Sequence, residues 1–349
     1  MTVDIKPWVV SIAPIACPAD LTGIPDDYIQ AWERYVGPVT PGDGDREDWI
    51  ETCARLCWGV RDLGDDAIVR VHGKWDGDNG ALIGLPHFGP VMKVKTCDQV
   101  REASTANRYM VNPTVRQLMH RRALLSSVHG DDIRDTFGRL VGQGAASFVV
   151  KYAAREKGLP ILRLEGDDPA LLERQVREWG GWEFVHAEDD PNALLIQQRV
   201  DMQYEYRMFM VGDRPACGAG CVELNTPLDN MGARFDPQMQ KRRNGRSKAD
   251  VEVVPELTER YRRFAVRAGR LFRHCGYGAY VLDLCLIDGE VSVVELNGMM
   301  NAGLYALDMG ALTRAMRADR QQFVPIALDG DMLTACLTDA QGVFDDSGL

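Results

Sequence analysis

The sequence predicts an α/β (α+β) chain, with a small α/β domain over residues 1–107 followed by a larger α+β portion. Three observations lead there. Strand-like and helix-like stretches alternate through the first third. The clearest amphipathic helix of the chain spans 256–275. It runs directly into a hairpin pattern, Tyr280 to Asn297, whose apolar strands flank the tight-turn dipeptide Asp288-Gly289.

Each element rests on periodicity or on a turn signal. Residues 8–15 read as an opening buried strand. Over 46–62, Trp49, Ile50, Cys53, Leu56, Cys57 and Val60 form one helical stripe. Residues 67–72 alternate as a strand and lead into a turn-rich loop at 74–80. A second block opens with a strand at 109–112, and Pro113 starts a helix expected over 113–126. Residues 148–152 and 159–164 read as paired strands, 169–179 as a helix, and 193–200 as a strand. A strand at 204–211 turns at Gly212-Asp213 into another at 215–222. Residues 226–250 read as polar and irregular. The stripe of the 256–275 helix is Leu257, Tyr261, Phe264, Ala265, Ala268, Leu271, Phe272 and Cys275. Domain boundaries are expected after 107, 195 and 335, with an acidic tail over 336–349.

Composition narrows the function classes. The 349 residues are 45% hydrophobic and 26% charged, as in ordinary globular proteins. A net charge of -11 argues against nucleic-acid binding through a general basic surface. The basic run Lys241, Arg242, Arg243, Arg246 leaves a local grip on a polyanion open. No apolar run reaches the length of a membrane span, and the first residues lack the pattern of a signal peptide. Nine cysteines, an odd number with no Cys-x-x-Cys, suit reduced thiols in a cytoplasm better than zinc or a disulfide framework.

The hairpin carries the chemistry. Its strands are apolar, yet they hold Asp283, Glu295 and Asn297. Buried carboxylates are costly unless paired or bound to a cation, and three hard oxygen donors suit Mg2+. Glu295 and Asn297 share a strand face because they are two apart. Asp283 joins them only across a loop with an odd number of residues. A two-residue loop would send it to the other face. The expectation is therefore a three-residue loop, Ile287-Asp288-Gly289, with Leu286 opposite Glu290. Asp283 and Glu295 would then be diagonal neighbours about 7–8 Å apart.

An ordered set of residues extends this reading. Lys151 follows Phe148-Val-Val, Gln197-Gln-Arg-Val200 follows Leu195-Ile, and Glu205-Tyr-Arg207 precedes the long helix, Asp283 and Glu295-Leu-Asn297. From about residue 110 to 305 this order resembles the ATP-grasp family. The resemblance implies two α+β subdomains clasping nucleotide. It also implies an ATP- and Mg2+-dependent ligase that joins a carboxylate to an amine or similar nucleophile through an acylphosphate. A small-molecule kinase on the same fold and a non-catalytic nucleotide-binding scaffold are the alternatives. Carried onto this chain, Lys151 would bind ATP phosphates. Gln197, Gln198, Arg199 and Val200 would lie along adenine, and Glu205 or Asp201 would accept from ribose hydroxyls. Arg207 would face the transferred phosphate, and Asp283, Glu295 and Asn297 would hold one or two Mg2+. The family's earlier ATP-contacting lysine has no counterpart; Arg121 or Arg122 stands nearest. Asn301 and Tyr305 would touch substrate, with Arg234 and the basic loop on the acceptor side. The implied partners are a small-molecule carboxylate and a nucleophile co-substrate, and a homodimer is compatible with them. Local chemistry agrees: a lysine ending an apolar strand suits a phosphate, and an arginine can clasp one bidentately. The bland counterparts are an edge-strand gatekeeper for Lys151 and a structural ion pair for Arg207.

Overall fold

The computed structural model describes residues 8–12, 15–63, 67–71, 87–88, 113–153, 161–188, 190, 192–245, 247–274, 279–297, 299 and 302–319. The loop at 74–80, the strand at 109–112, Arg246, Asn301 and the acidic tail lie outside these residues. Expected boundaries at 107 and 335 do too.

The described residues form a mixed α+β structure. Strand β1 (Trp8–Ile12) pairs in parallel with β2 (Ala67–Val71) and antiparallel with β3 (His87–Phe88). A parallel pair needs a long crossover, and the helices Asp26–Tyr35 and Arg46–Leu63 lie within it. The second of these buries Trp49, Ile50, Cys53, Leu56 and Cys57 of the stripe read from the sequence, and Val60 of that stripe is partly buried.

A four-stranded antiparallel sheet has the order β4-β7-β5-β6. Its strands are β4 (Ala123–Ser126), β5 (Ser147–Tyr152), β6 (Leu162–Glu165) and β7 (Leu194–Gln198). Here the expected helix over 113–126 is corrected. The helix ends at Met119, and 123–126 instead pair with β7, Ala123 opposite Gln197. His120 has φ +46°, which stops the helix, and a short apolar run fits a strand as well as a helix. The Asp132–Val141 and Pro169–Gly180 helices bury Ile133, Phe137, Leu140, Leu172 and Val176 against Phe148, Val150 and Tyr152 of β5. Trp179 stacks on Tyr152 with ring centroids 4.9 Å apart, whereas Trp182 is 82% exposed.

A second four-stranded sheet has the order β13-β12-β8-β9. It comprises β8 (Gln203–Val211), β9 (Arg214–Gly220), β12 (Ala279–Ile287) and β13 (Glu290–Asn297). The Pro255–His274 helix buries Leu257, Tyr261, Phe264, Ala265, Ala268 and Phe272. The segment expected to be irregular, 226–250, contains β10 (Gln238–Gln240), which pairs with β11 (Val251–Val253). Asp236, wholly buried there, accepts from the backbone N–H of Met231 at 2.8 Å and of Gln238 at 3.0 Å. Short polar side chains thus satisfy this segment's own backbone, so it is ordered without a hydrophobic period.

Two compact units result. Among the described residues, one comprises those within 8–88, 203–286 and 294–319, and the other those within 113–202 and 287–293. An apolar core of the first unit joins Trp49, Cys53 and Leu56 to Phe209, Cys217, Val281, Leu304 and Leu312. The expected boundary after 195 falls inside β7, whose ladder with β4 and β5 keeps it in the second unit. The change of unit comes at 202/203.

Candidate functional site

The hairpin turn is Asp288-Gly289, with φ +52° and +83°. Two consecutive positive values mark a two-residue turn of type I′, which Asp-Gly favours because its twist matches the flanking strands. The expected three-residue loop is corrected, since Ile287 belongs to β12. Strict alternation from this turn would part Asp283 from Glu295 and Asn297. Yet Asn297 Nδ2 donates to Asp283 Oδ2 and to Glu295 Oε1, each at 3.0 Å. The hairpin therefore breaks alternation between its turn and these residues, and the three predicted groups meet by a different route.

Asp283 lies directly opposite Arg207 across β12 and β8, so both side chains leave the same face. Arg207 Nε donates to Oδ1 and Nη2 to Oδ2, both at 2.8 Å. Asp283 is 3% exposed and Arg207 6%. Burial opposes the guanidinium charge, but the Asp283 charge and its hydrogen bonds outweigh that and hold the Arg207 pKa well above its ordinary value. Arg207 Nη1 also donates to the Gly303 carbonyl at 3.1 Å, and the guanidinium lies over the Tyr305 ring, 5.1 Å from its centroid. The predicted phosphate ligand thus sits in a buried ion pair.

Glu205 is placed by a bulge. Between the pairs Leu284–Tyr206 and Leu286–Gln203, β8 takes one more residue than β12. Tyr204 absorbs it with φ +53°, and its carbonyl accepts from Tyr261 Oη at 2.7 Å. A bulge re-aims the next side chain. Here Glu205 meets Arg243 at 3.4 Å, and Arg243 also reaches Glu223 at 2.9 Å. Burial, opposed by Arg243 and reinforced by the charges of Asp283 and Glu295, raises the Glu205 pKa. The Arg46–Leu63 helix adds buried Glu51 and Arg55, which bond to residues 302–305. Sequence reasoning missed both. The signal was an acid and a base at i, i+4, bracketed by the apolar residues of a core-facing stripe.

Among the described residues, no three His, Cys, Asp or Glu side chains form a group that would hold a metal. The predicted set is two carboxylates and an amide. Two carboxylates converge on one amide nitrogen, and the charges of Asp283 and Glu295 are felt at Glu205. The oxygen and nitrogen of Asn297 can exchange places by a flip. These donors fit a hard divalent cation.

The second unit, taken by itself, holds the nucleotide-side candidates. Lys151 is on the face of β5 opposite Phe148 and Val150, partly exposed, in an interior strand rather than an edge. Gln197 is buried and accepts from Arg121 Nε at 3.5 Å. Arg121, 5% exposed, donates to the Val293 carbonyl at 2.7 Å and is enclosed by protein acceptors. Gln198 N–H donates to Arg122 O and Arg199 N–H to Ser147 O, both at 2.8 Å. The Arg199 side chain pairs with Glu165 at 3.1 Å, and Val200 follows the end of β7. Arg234 is turned onto the Ala216 carbonyl at 2.5 Å.

No family model matches the chain, and no curated protein does. The chain is similar to solved ligase structures, an ATP-grasp ligase among them. With the D-cycloserine synthetase DcsG it shares 16% identity at a TM-score of 0.43, covering 90% of this chain and 99% of that one. The ATP-grasp ligase PsnB, complexed with a minimal precursor, gives 15%, 0.34, 78% and 70%. The D-alanyl-alanine synthetase A of Vibrio cholerae gives 13%, 0.38, 84% and 72%.

Proposed function

We propose that this chain is an ATP- and Mg2+-dependent ligase joining a carboxylate to an amine or similar nucleophile through an acylphosphate. The observation that carries the reading is the meeting of Asp283 and Glu295 on Asn297, beside a buried guanidinium. Two carboxylates that meet on one amide give a cation hard oxygen donors, and Mg2+ binds through one or two carboxylates together with substrate phosphates. Glu295, Asn297 and Asp283 would hold it. Bound there, Mg2+ would offset charge on the transferring phosphoryl group. Arg207 holds both oxygens of Asp283 and so fixes that carboxylate.

In this chemistry a substrate carboxylate oxygen attacks the terminal phosphorus of ATP, and the bond to the bridging oxygen breaks to release ADP. The nucleophile's nitrogen then adds to the acyl carbon and loses a proton. Phosphate departs with the electrons of the C–O bond. The chain contributes placement and charge stabilisation. Lys151 is proposed as a phosphate contact on its own merits, because it presents a point charge on the face turned away from the core.

The test follows thermal unfolding and phosphate release with Mg2+, ATP and panels of carboxylates and amines. Ligand at a hundred times its Kd stabilises the folded state by about 2.7 kcal/mol. Glu295→Gln should remove the Mg2+-dependent rise in Tm and slow phosphate release roughly a hundredfold, the scale of one preorganised electrostatic group. Unchanged binding and turnover in that variant would exclude the site.

A further inference from the structure

We propose that Glu51 and Arg55 are positioning residues for the Asp283 centre, acting through residues 302–305. Both project from the Arg46–Leu63 helix, and they are 7% and 1% exposed. Buried charges are costly without partners. Here the two charges attract each other, and both also bond to backbone groups of a single short segment. Glu51 Oε1 accepts from Leu304 N–H at 2.6 Å and Tyr305 N–H at 3.1 Å. Arg55 Nη2 donates to the Ala302 carbonyl at 2.5 Å. From the other side Arg207 donates to the Gly303 carbonyl and covers the Tyr305 ring. The helix and the sheet thus grip the same four residues, and the sheet's grip is the arginine that holds both oxygens of Asp283.

At Gly303 the parts come within ordinary van der Waals contact of an added Cβ. A Cβ there would lie 3.5 Å from Arg207 Nη1, 3.7 Å from Glu51 Oε1 and 3.7 Å from the Tyr305 ring. Tyr305 itself has φ +50°, a conformation that the two N–H bonds to Glu51 help to hold. The four charges, Glu51, Arg55, Arg207 and Asp283, sum to zero. Removing one alters the field at Asp283 with a sign fixed by the group removed.

The activity and Mn2+ arms of the test rest on the proposed ligase reading and its metal site; the amide-exchange arm does not. Amide hydrogen exchange of the full chain reads the clamp, and Mn2+ binding without nucleotide reads the field. Glu51→Leu should raise exchange at Leu304 and Tyr305 at least about tenfold, which is 1.4 kcal/mol or more of lost protection. It should also lower kcat about a hundredfold, the scale of a 1 Å misplacement. Glu51→Gln keeps an acceptor oxygen, so it should restore the protection and most of kcat while weakening Mn2+ binding severalfold. Arg55→Met should shift the Mn2+ affinity the opposite way. A purely structural role would lower Tm in these variants and leave the Mn2+ affinity unmoved. Unchanged exchange in Glu51→Leu overturns the proposal, as do same-direction Mn2+ shifts in Glu51→Gln and Arg55→Met. If Glu51→Leu does not fold, those last two variants decide. A wild-type chain that forms the clamp but releases no phosphate from ATP refutes the ligase reading and leaves the clamp supported.

Discussion

Arg207 and Asp283 show how much one residue pair can decide. Their side chains are only 8% and 5% exposed, and two parallel hydrogen bonds join them. Breaking such a pair strands the remaining charge in a low-dielectric site, which costs about 3–5 kcal/mol. Arg207→Met should therefore destabilise by that amount in urea unfolding, and Asp283→Leu should do likewise. The double variant should lose clearly less than the sum of the two, because it leaves no orphaned charge. Additive losses would mean that the pair is not coupled. At this scale the sequence was informative about cost and silent about partner. Asp283 in an apolar strand announced that something must neutralise it. That Arg207 would do so depended on the register of β8 against β12, 76 residues apart.

At the scale of the element, the hairpin and the bulge behave differently. Asp288 and Gly289 both have positive φ, which Gly tolerates freely and a β-branched residue does not. Gly289→Val should lower stability by about 1–2 kcal/mol, whereas Asp288→Asn should be neutral or slightly stabilising in the same unfolding measurement. Equal effects would contradict the type I′ assignment. The dipeptide was legible as a turn; the number of residues in its loop was not. Both parities satisfy the local pattern, and the break in alternation that reunites Asp283 with Glu295 leaves no mark on it. The bulge at Tyr204 was equally hidden, since the chain spends a tyrosine rather than a glycine on φ +53°. It is held by contacts that local sequence does not encode, among them the Tyr261 hydroxyl. The stretch 123–126 became β4 for a related reason: β7 offered a ladder to an apolar run that local periodicity had assigned to a helix.

For the whole molecule, the surplus of acid is the dominant electrostatic feature. The chain carries 51 acids against 40 lysines and arginines. Burial raises the pKa of Glu205 above its ordinary 4.5, with Arg243 opposing and Asp283 and Glu295 adding to the rise. A carboxyl whose folded pKa is raised contributes stability that is fully present below its unfolded value. That contribution is lost as pH rises through the folded value. Glu51 is shifted the same way, chiefly by burial. Wild type should therefore lose more stability than Glu205→Gln as pH increases from about 4.5 toward neutrality. Parallel curves of Tm against pH would contradict the shift. The sequence by itself determined the helical stripes, most strands, the acidic balance and the three polar groups embedded in the last hairpin. Those follow from local period and from the cost of burying charge. Only the tertiary structure decided that Arg207 answers Asp283, that Arg243 answers Glu205, and that Glu51 and Arg55 hold residues 302–305. Each of those pairings joins segments far apart in the chain, and its energy depends on distance and desolvation that exist only once the chain has folded.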